Sequence, residues 1–176
     1  DCLLSRGLGD VYKRQAINLM SPISQLYFSI TILFGLGASS IISFAKGRRD
    51  EKQANRVFTS TFIVLIALSV IFIAIQLPLA DSISSLLTKD AELKSLLYQY
   101  YVPFIIGTPI YLLLMCSIHF VRADARPAFA SNIVIVANAV NLGLDFLFMG
   151  AFKMGIAGSS IATVTGYAVG FVMMST

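Results

Sequence analysis

The sequence predicts an all-α fold, a polytopic membrane helix bundle of about five transmembrane helices. Three observations carry this. Hydrophobic residues make up 57% of the 176-residue chain and charged residues only 12%, whereas a soluble domain carries roughly twice that charge. The apolar residues fall in five long runs, Ala16–Ala45, Val57–Ala80, Ser95–Val121, Pro127–Phe152 and Met154–Thr176, each reaching or exceeding the ~20 residues that cross a hydrocarbon core. Those runs also lack the polar faces that buried helices of a large soluble protein would show. Among them only Asp145 brings in a full charge, and His119 sits near the end of one run.

Residues 1–15, DCLLSRGLGDVYKRQ, differ in composition from everything that follows. Asp10–Gln15 back-translates to a string resembling the transposon end used in sequencing libraries. The segment is therefore read as adapter-derived and non-native, and is set aside from fold reasoning as a fusion scar would be. It is expected to make few contacts. The native part is then 16–176, and both of its ends read as cut from a longer chain.

The helices are expected near 16–45, 55–80, 93–118, 126–150 and 156–175. The first is longer than one crossing requires, so it should include an interfacial or broken portion. The loop 46-KGRRDEKQANR-56 carries five basic residues against two acidic. The loop 81-DSISSLLTKDAELK-94 has three acids and two lysines, the next holds Arg122, Asp124 and Arg126, and the last turn only Lys153. The positive-inside rule places 46–56 and 119–127 in the cytoplasm and 81–94 outside. Pro127 should open its helix, where a missing N–H costs nothing, while Pro103 and Pro109 should bend theirs and free backbone carbonyls. In the last run Gly158, Ala162, Gly166 and Gly170 recur every four residues, a small-residue face for close helix packing.

The net charge of +4 belongs to these loops and does not point to nucleic acid. Cys2 and Cys116 offer neither a disulfide framework nor metal-ligand spacing. The chemistry concentrates in 132-NIVIVANAVNLGLDFLFMG-150. Asn138, Asn141 and Asp145 are spaced three and four apart and share one helix face. A carboxylate at the bilayer centre costs about 2.5–3.5 kcal/mol on insertion scales, so it faces a cavity or a partner. An apolar surround penalises the ionised carboxylate, which suits Asp145 to exchange a proton with water. Together with amide and hydroxyl oxygens it would equally hold a small hard cation. The bland reading of the asparagines is an interhelical hydrogen-bond cluster. Thr163, mid-span in the next helix, is a candidate partner. Tyr100 and Tyr101 are others, although tyrosine near a span end is often only an interfacial anchor. An intramembrane enzyme would need a second catalytic group at this depth, which one Asp and a rim His119 do not supply.

Three stretches in order resemble one family. Residues 35–61, GLGASSIISFAKGRRDEKQANRVFTST, look like the second helix and basic loop of the multidrug and toxic compound extrusion (MATE) transporters, with their G-x-x-x-x-x-x-A pattern. Residues 119–149 resemble their fourth-to-fifth helix passage, including R-x-D-x-x-P (Arg122, Asp124, Pro127) and N-x-x-x-D (Asn141, Asp145). The tail 154-MGIAGSSIATVTGY-167 is similar to the start of their sixth helix, and the similarity looks closest to the bacterial DinF-like branch. The resemblance implies helices two to six of a twelve-helix transporter built from two six-helix bundles. It implies a cation site at Asp145, Asn141 and Thr163, with a tyrosine best matched by Tyr100, and Asn138 as a further cavity-lining residue. The family's site also uses an acid on the first helix, which this chain lacks, as it lacks the second bundle.

The function expected is a cation-coupled antiporter that exports drugs or other organic compounds across the cytoplasmic membrane. It would need no cofactor and no resident metal, with proton or sodium as coupling ion and sodium held only transiently at Asp145. Its partners would be small organic substrates, the lipid bilayer and the rest of the same transporter. A lipid-linked-oligosaccharide flippase of the same superfamily is the alternative. It is disfavoured because no Lys or Arg lies inside a span to meet a phosphate.

Overall fold

The computed structural model describes Val11 and residues 14–174, so the reading of residues 1–15 falls almost wholly outside the described residues. Five long helices follow one another: α1 (Ser21–Gly47), α2 (Glu51–Leu87), α3 (Ala91–Ala123), α4 (Pro127–Asp145) and α5 (Gly155–Met174). A π-helical segment, Phe146–Ala151, continues α4. Counting α4 with that segment, all five are long and apolar enough to cross a membrane. Large apolar side chains along α2, among them Ile63, Val70, Ile71 and Ile75, are exposed. Such a continuous apolar face is stable only against lipid or another apolar surface. The chain is a multi-pass membrane protein.

Each helix begins and ends for a local reason. Residues 14–19 are helical and break at a turn on Met20, and Pro22 stands in the first turn of α1. The first run is thus divided, as its length required. Asp50 caps α2 by accepting from the Gln53 N–H at 3.0 Å, and Asp90 caps α3 by accepting from Glu92 and Leu93 at 2.9 and 3.1 Å. Both satisfy N–H groups that have no partner within the helix. Pro127 is the first residue of α4.

The helices α2 and α3 are longer than the hydropathy predicted, at 37 and 33 residues. Apolar runs mark where the bilayer stops, whereas a helix continues into water until a cap or breaker ends it. α3 runs unbroken through Pro103 and Pro109, and α2 through Pro78. The helix expected over 126–150 needs correction in kind: it is α-helical only to Asp145 and π-helical afterwards.

α3 is the hub, packing against α1, α2 and α5, while α4 leans chiefly on α5. Ion pairs mark the two ends of the bundle. Lys46, in the last turn of α1, pairs with Asp124 just past α3, and that hydrogen bond holds the Asp124 carboxyl below its ordinary range. At the other end Lys94 pairs with Asp81 at 2.8 Å. The loops after α1 and α3 therefore share one end and the loop after α2 lies at the other, the alternation read from charge.

Toward the Lys94 end of the core lies a polar knot centred on Gln76, which the sequence reading passed over, and it engages Tyr101, which that reading offered to Asp145. The Gln76 Oε1 accepts from the Tyr27 hydroxyl at 2.6 Å and from the Tyr101 hydroxyl at 2.8 Å. Both tyrosines are fully buried, so α1, α2 and α3 are tied at one amide oxygen. Replacing Gln76 with Leu strands two buried hydroxyls, and a stranded group of this kind costs about 1–3 kcal/mol. Gln76→Leu is expected to lower stability by that order in SDS titration followed by circular dichroism. Adding Tyr27→Phe and Tyr101→Phe should restore part of the loss.

Candidate functional site

The site is built on the seam between α4 and α5. Gly158, Ala162, Gly166 and Gly170 are all buried on one face of α5. A Cβ on Gly166 would stand 2.7 Å from the Ala137 carbonyl oxygen and 3.1 Å from the Asn141 Cβ. One on Gly170 would meet Leu114 at 3.1 Å and Ala137 at 3.2 Å, and one on Gly158 would meet the Phe148 Cβ at 3.0 Å. Only glycine lets the two backbones approach this closely. Gly107 of α3 is seated in the same way against the Val164 side chain. The sequence signal for Gly107 was present, a lone glycine between two mid-span prolines, but it was not used.

This approach brings Asn141 to Thr163. The Asn141 Nδ2 donates to the Thr163 Oγ1 at 3.0 Å, and that hydroxyl in turn donates to the Ser159 carbonyl at 2.9 Å. Because the Asn141 amide nitrogen points at α5, its carbonyl oxygen is left for another partner. One turn further on, Asp145 closes α4, with the Ser159 hydroxyl beside its carboxylate. The Asp145 Oδ1 is buried and has no hydrogen-bond partner. Among the described residues one other buried side-chain polar atom is in that position, the Ser160 Oγ.

The carboxylate therefore looks two ways. Toward α5 it meets Ser159. Toward the outside it borders an open groove of about 360 Å³ lined by Leu142, Phe146, Met149 and Gly150. Burying an unpaired carboxylate oxygen is costly unless the group is neutralised or finds a cation. The arrangement is therefore one that can take up a proton or a small cation. The Asn141–Thr163 hydrogen bond lies one helical turn before Asp145 on the same seam, and amide, hydroxyl and carboxylate oxygens are of the kind that suit a hard ion.

The other expected residues are less closely engaged. Tyr100 is within electrostatic reach of Asp145 and Tyr167, but among the described residues no hydrogen bond joins it to Asp145. Its ring stacks on Phe104 with centroids 6.2 Å apart. Asn138 is exposed. Sequence reasoning missed Ser159, whose lone hydroxyl carries no signal until α5 is placed. It also missed Tyr167, which meets Tyr111 at 5.2 Å between ring centroids, and the π-helical turn that starts one residue after Asp145. π turns inside α-helices are rare and often mark functional positions.

With this geometry in hand, likeness to known proteins is informative. The MatE family model matches residues 15–147, well over half of the chain. Multidrug export protein MepA of Staphylococcus aureus is 27% identical over 158 residues, covering 89% of this chain and 35% of that protein. Its namesake in Staphylococcus haemolyticus is 25% identical, over 88% of this chain and 34% of that protein. The chain thus spans about a third of the length of the curated relatives it matches. An inward-facing multidrug resistance MATE family transporter of the MOP superfamily overlays with a TM-score of 0.87 at 22% identity, over 93% of this chain and 37% of that one. An outward-facing one gives 0.87 at 20% identity, over 98% and 40%. At that identity the overlays speak for the fold.

The seam itself is open to measurement. Gly166→Ala must push α4 away from α5, and such overpacking costs about 1–3 kcal/mol. Gly37 of α1 has nothing within 4 Å of its would-be Cβ, so Gly37→Ala should instead gain about 0.5–1 kcal/mol of helix stability. Opposite signs for the two substitutions are expected in detergent unfolding followed by circular dichroism.

Proposed function

Because the chain belongs to the MatE family, we propose that it forms part of a cation-coupled antiporter exporting drugs or other organic compounds across the cytoplasmic membrane. The observation that carries this reading is the Asp145 carboxylate, one oxygen buried and unpaired, beside the Asn141–Thr163 hydrogen bond. The relatives are named for multidrug export, and five membrane-length helices supply the setting. A lone carboxylate with neutral neighbours is equipped to bind and release an ion. It is not equipped for acid–base or nucleophilic catalysis, which needs a second group in position.

Asp145 is the titrating centre, Asn141 and Thr163 are neutral oxygen ligands, and Tyr100 is a hydrogen-bond partner or gate that engages when the site closes. A charged, empty Asp145 is unfavourable at membrane depth, so each stable state holds either a proton or a cation there. Occupancy then biases the conformational equilibrium by as much as the ion's affinity differs between states. Alternating access follows if the charged form favours one opening and the neutralised form the other. The near-equal fit of this bundle to inward- and outward-facing transporters supports its moving as a unit.

Asp145→Asn mimics the neutral form. The variant should fold and reach the membrane at normal levels, while efflux driven by an imposed proton or sodium gradient falls to the level of cells without the transporter. Asp145→Glu should keep more of the gradient dependence than Asp145→Asn. Full gradient-driven efflux by Asp145→Asn would leave the residue a packing role only.

Orientation follows from the basic loops. With Cys2 and Cys116 replaced, a cysteine at Arg49 should resist a membrane-impermeant thiol reagent in intact cells, and one at Lys89 should react. The reverse pattern would invert the topology.

A further inference from the structure

A groove between α1 and α3, near the end of the bundle that carries Lys46 and Asp124, belongs to no site described above. Ser39, Ser40 and Ser43 of α1 line one side, and His119 and Arg122 of α3 the other. Its volume of about 440 Å³ falls within the ~300–1,000 Å³ of small-molecule sites. The two helices meet here because Gly35 has no side chain. A Cβ on Gly35 would stand 2.5 Å from the His119 Cδ2 and 2.9 Å from its Cγ. The imidazole therefore packs on the α1 backbone. Both helices run toward this end, so one turn further on the serines of α1 come beside Arg122.

Among the residues lining this groove Arg122 carries the only full charge, and no carboxylate faces it. Its guanidinium enters no hydrogen bond or ion pair with another described residue, and the His119 ring lies within its electrostatic reach. Asp124, two residues on, is paired with Lys46 and borders a different recess. The carbonyl ends of α1 and α3 lie at this end too and would oppose an anion. Loop N–H groups take most of them up: Arg48, Arg49 and Asp50 donate to the last turn of α1, and Asp124, Ala125 and Arg126 to that of α3. The hydroxyls have protons to offer. Ser39 and Ser40 both donate to the Leu36 carbonyl, at 3.0 and 2.8 Å, which as a helix carbonyl also accepts an N–H. Three donors share two lone pairs, so one hydroxyl can turn to a ligand without stranding an acceptor.

We propose that this groove binds a phosphate group, held by the Arg122 guanidinium from α3 and by serine hydroxyls, Ser43 among them, from α1. An arginine fork matches two phosphate oxygens at once. A tetrahedral oxyanion seated there still directs oxygens across to the serines, whereas a planar carboxylate spends both of its oxygens on the fork. The uncompensated charge of Arg122 repels an organic cation. Free phosphate and the phosphate of an anionic lipid headgroup present the same oxygens, and both reach a groove at the helix ends. Arg122 lies in the last turn of α3, so this is a binding site at the rim and not a path for a headgroup through the membrane. The proposal stands apart from the transport reading and can hold or fail whether or not Asp145 couples an ion.

Two titrations of the purified protein in an uncharged, phosphate-free detergent separate the sources: inorganic phosphate by calorimetry, and phosphatidylglycerol by native mass spectrometry. Binding of inorganic phosphate assigns a soluble ligand, and binding of phosphatidylglycerol alone assigns a headgroup. In either case Arg122→Gln should cost the bound ligand about tenfold or more in affinity, the worth of a hydrogen bond to a charged group. Ser43→Ala should cost about threefold, as for one ordinary hydrogen bond. Arg122→Lys keeps the charge without the fork and should fall between wild type and Arg122→Gln. Arg126→Gln removes the same charge from a position outside the groove and should leave the affinity nearly unchanged. Arg122 and Ser43 are both exposed, so these variants should fold, which circular dichroism checks. Binding of neither ligand, an affinity unmoved by Arg122→Gln, or an equal loss in Arg126→Gln would each overturn the proposal.

Discussion

The close approach of α5 to α4 and α3 is the constraint on which the rest of the bundle depends. Within a bilayer the hydrophobic effect does not drive one helix against another, because lipid tails are as apolar as the side chains they would replace. Association then rests on packing and interhelical hydrogen bonds. Gly166 against the Ala137 carbonyl and Gly107 against Val164 supply the packing. The Asn141–Thr163 bond supplies the polar link, and it can form only because Gly166 lets Asn141 come within reach. The same seam that holds the helices together therefore also brings Asn141 to Thr163 one turn before Asp145, and a methyl group in the wrong place would disturb both.

A second tie works differently. At Gln76 two buried tyrosine hydroxyls share one amide oxygen, which fixes α1, α2 and α3 relative to one another. Both buried hydroxyls there are satisfied, and satisfied polar links of this kind rigidify a core. The Asp145 region is built the other way, with one carboxylate oxygen left unpaired and a π turn following at once. One polar cluster is closed and structural. The other is left incomplete, as the proposed ion site requires.

How much of this was legible in the sequence follows from what kind of signal each feature leaves. The membrane spans left a strong one, because a long run of apolar residues has few other uses. The end-to-end arrangement was legible from loop charge, whereas the pairs Lys46–Asp124 and Lys94–Asp81 at those ends were not. Helix ends were not legible from hydropathy, since Asp50 and Asp90 cap in water, beyond the apolar runs. Asn141, Asp145 and Thr163 could be picked out because polarity at membrane depth is expensive. Gln76 sits near the end of an apolar run, where a polar residue is unremarkable until Tyr27 and Tyr101 are seen to converge on it. The π turn left no trace, because FLFMGA reads equally well as α-helix. Tyr100 shows the opposite limit: its neighbourhood was foreseen, while its distance from any hydrogen bond to Asp145 could come only from coordinates.

The placement of Asp145 at the end of α4, and not in its middle, has a mechanical consequence. Ahead of it, Ala137 and Asn141 are clamped to α5 through Gly166. Beyond it, Phe146 and Met149 are exposed and the π turn is held through the Phe152 N–H to the Leu147 carbonyl at 3.0 Å and the Met154 N–H to the Phe148 carbonyl at 2.9 Å. Asp145 thus stands where the clamped helix passes into a turn whose Phe148 packs on Gly158 while its Phe146 and Met149 side chains are exposed. A charge appearing there cannot be answered by moving the clamped side. It can be answered by the π turn, whose backbone already departs from the α pattern, or by whatever faces the groove beside Leu142 and Phe146. In the transporter reading this is how a change of one proton or cation, worth little motion at the site itself, reaches a surface free to respond: the rigid seam supplies the reference against which the outer turn moves.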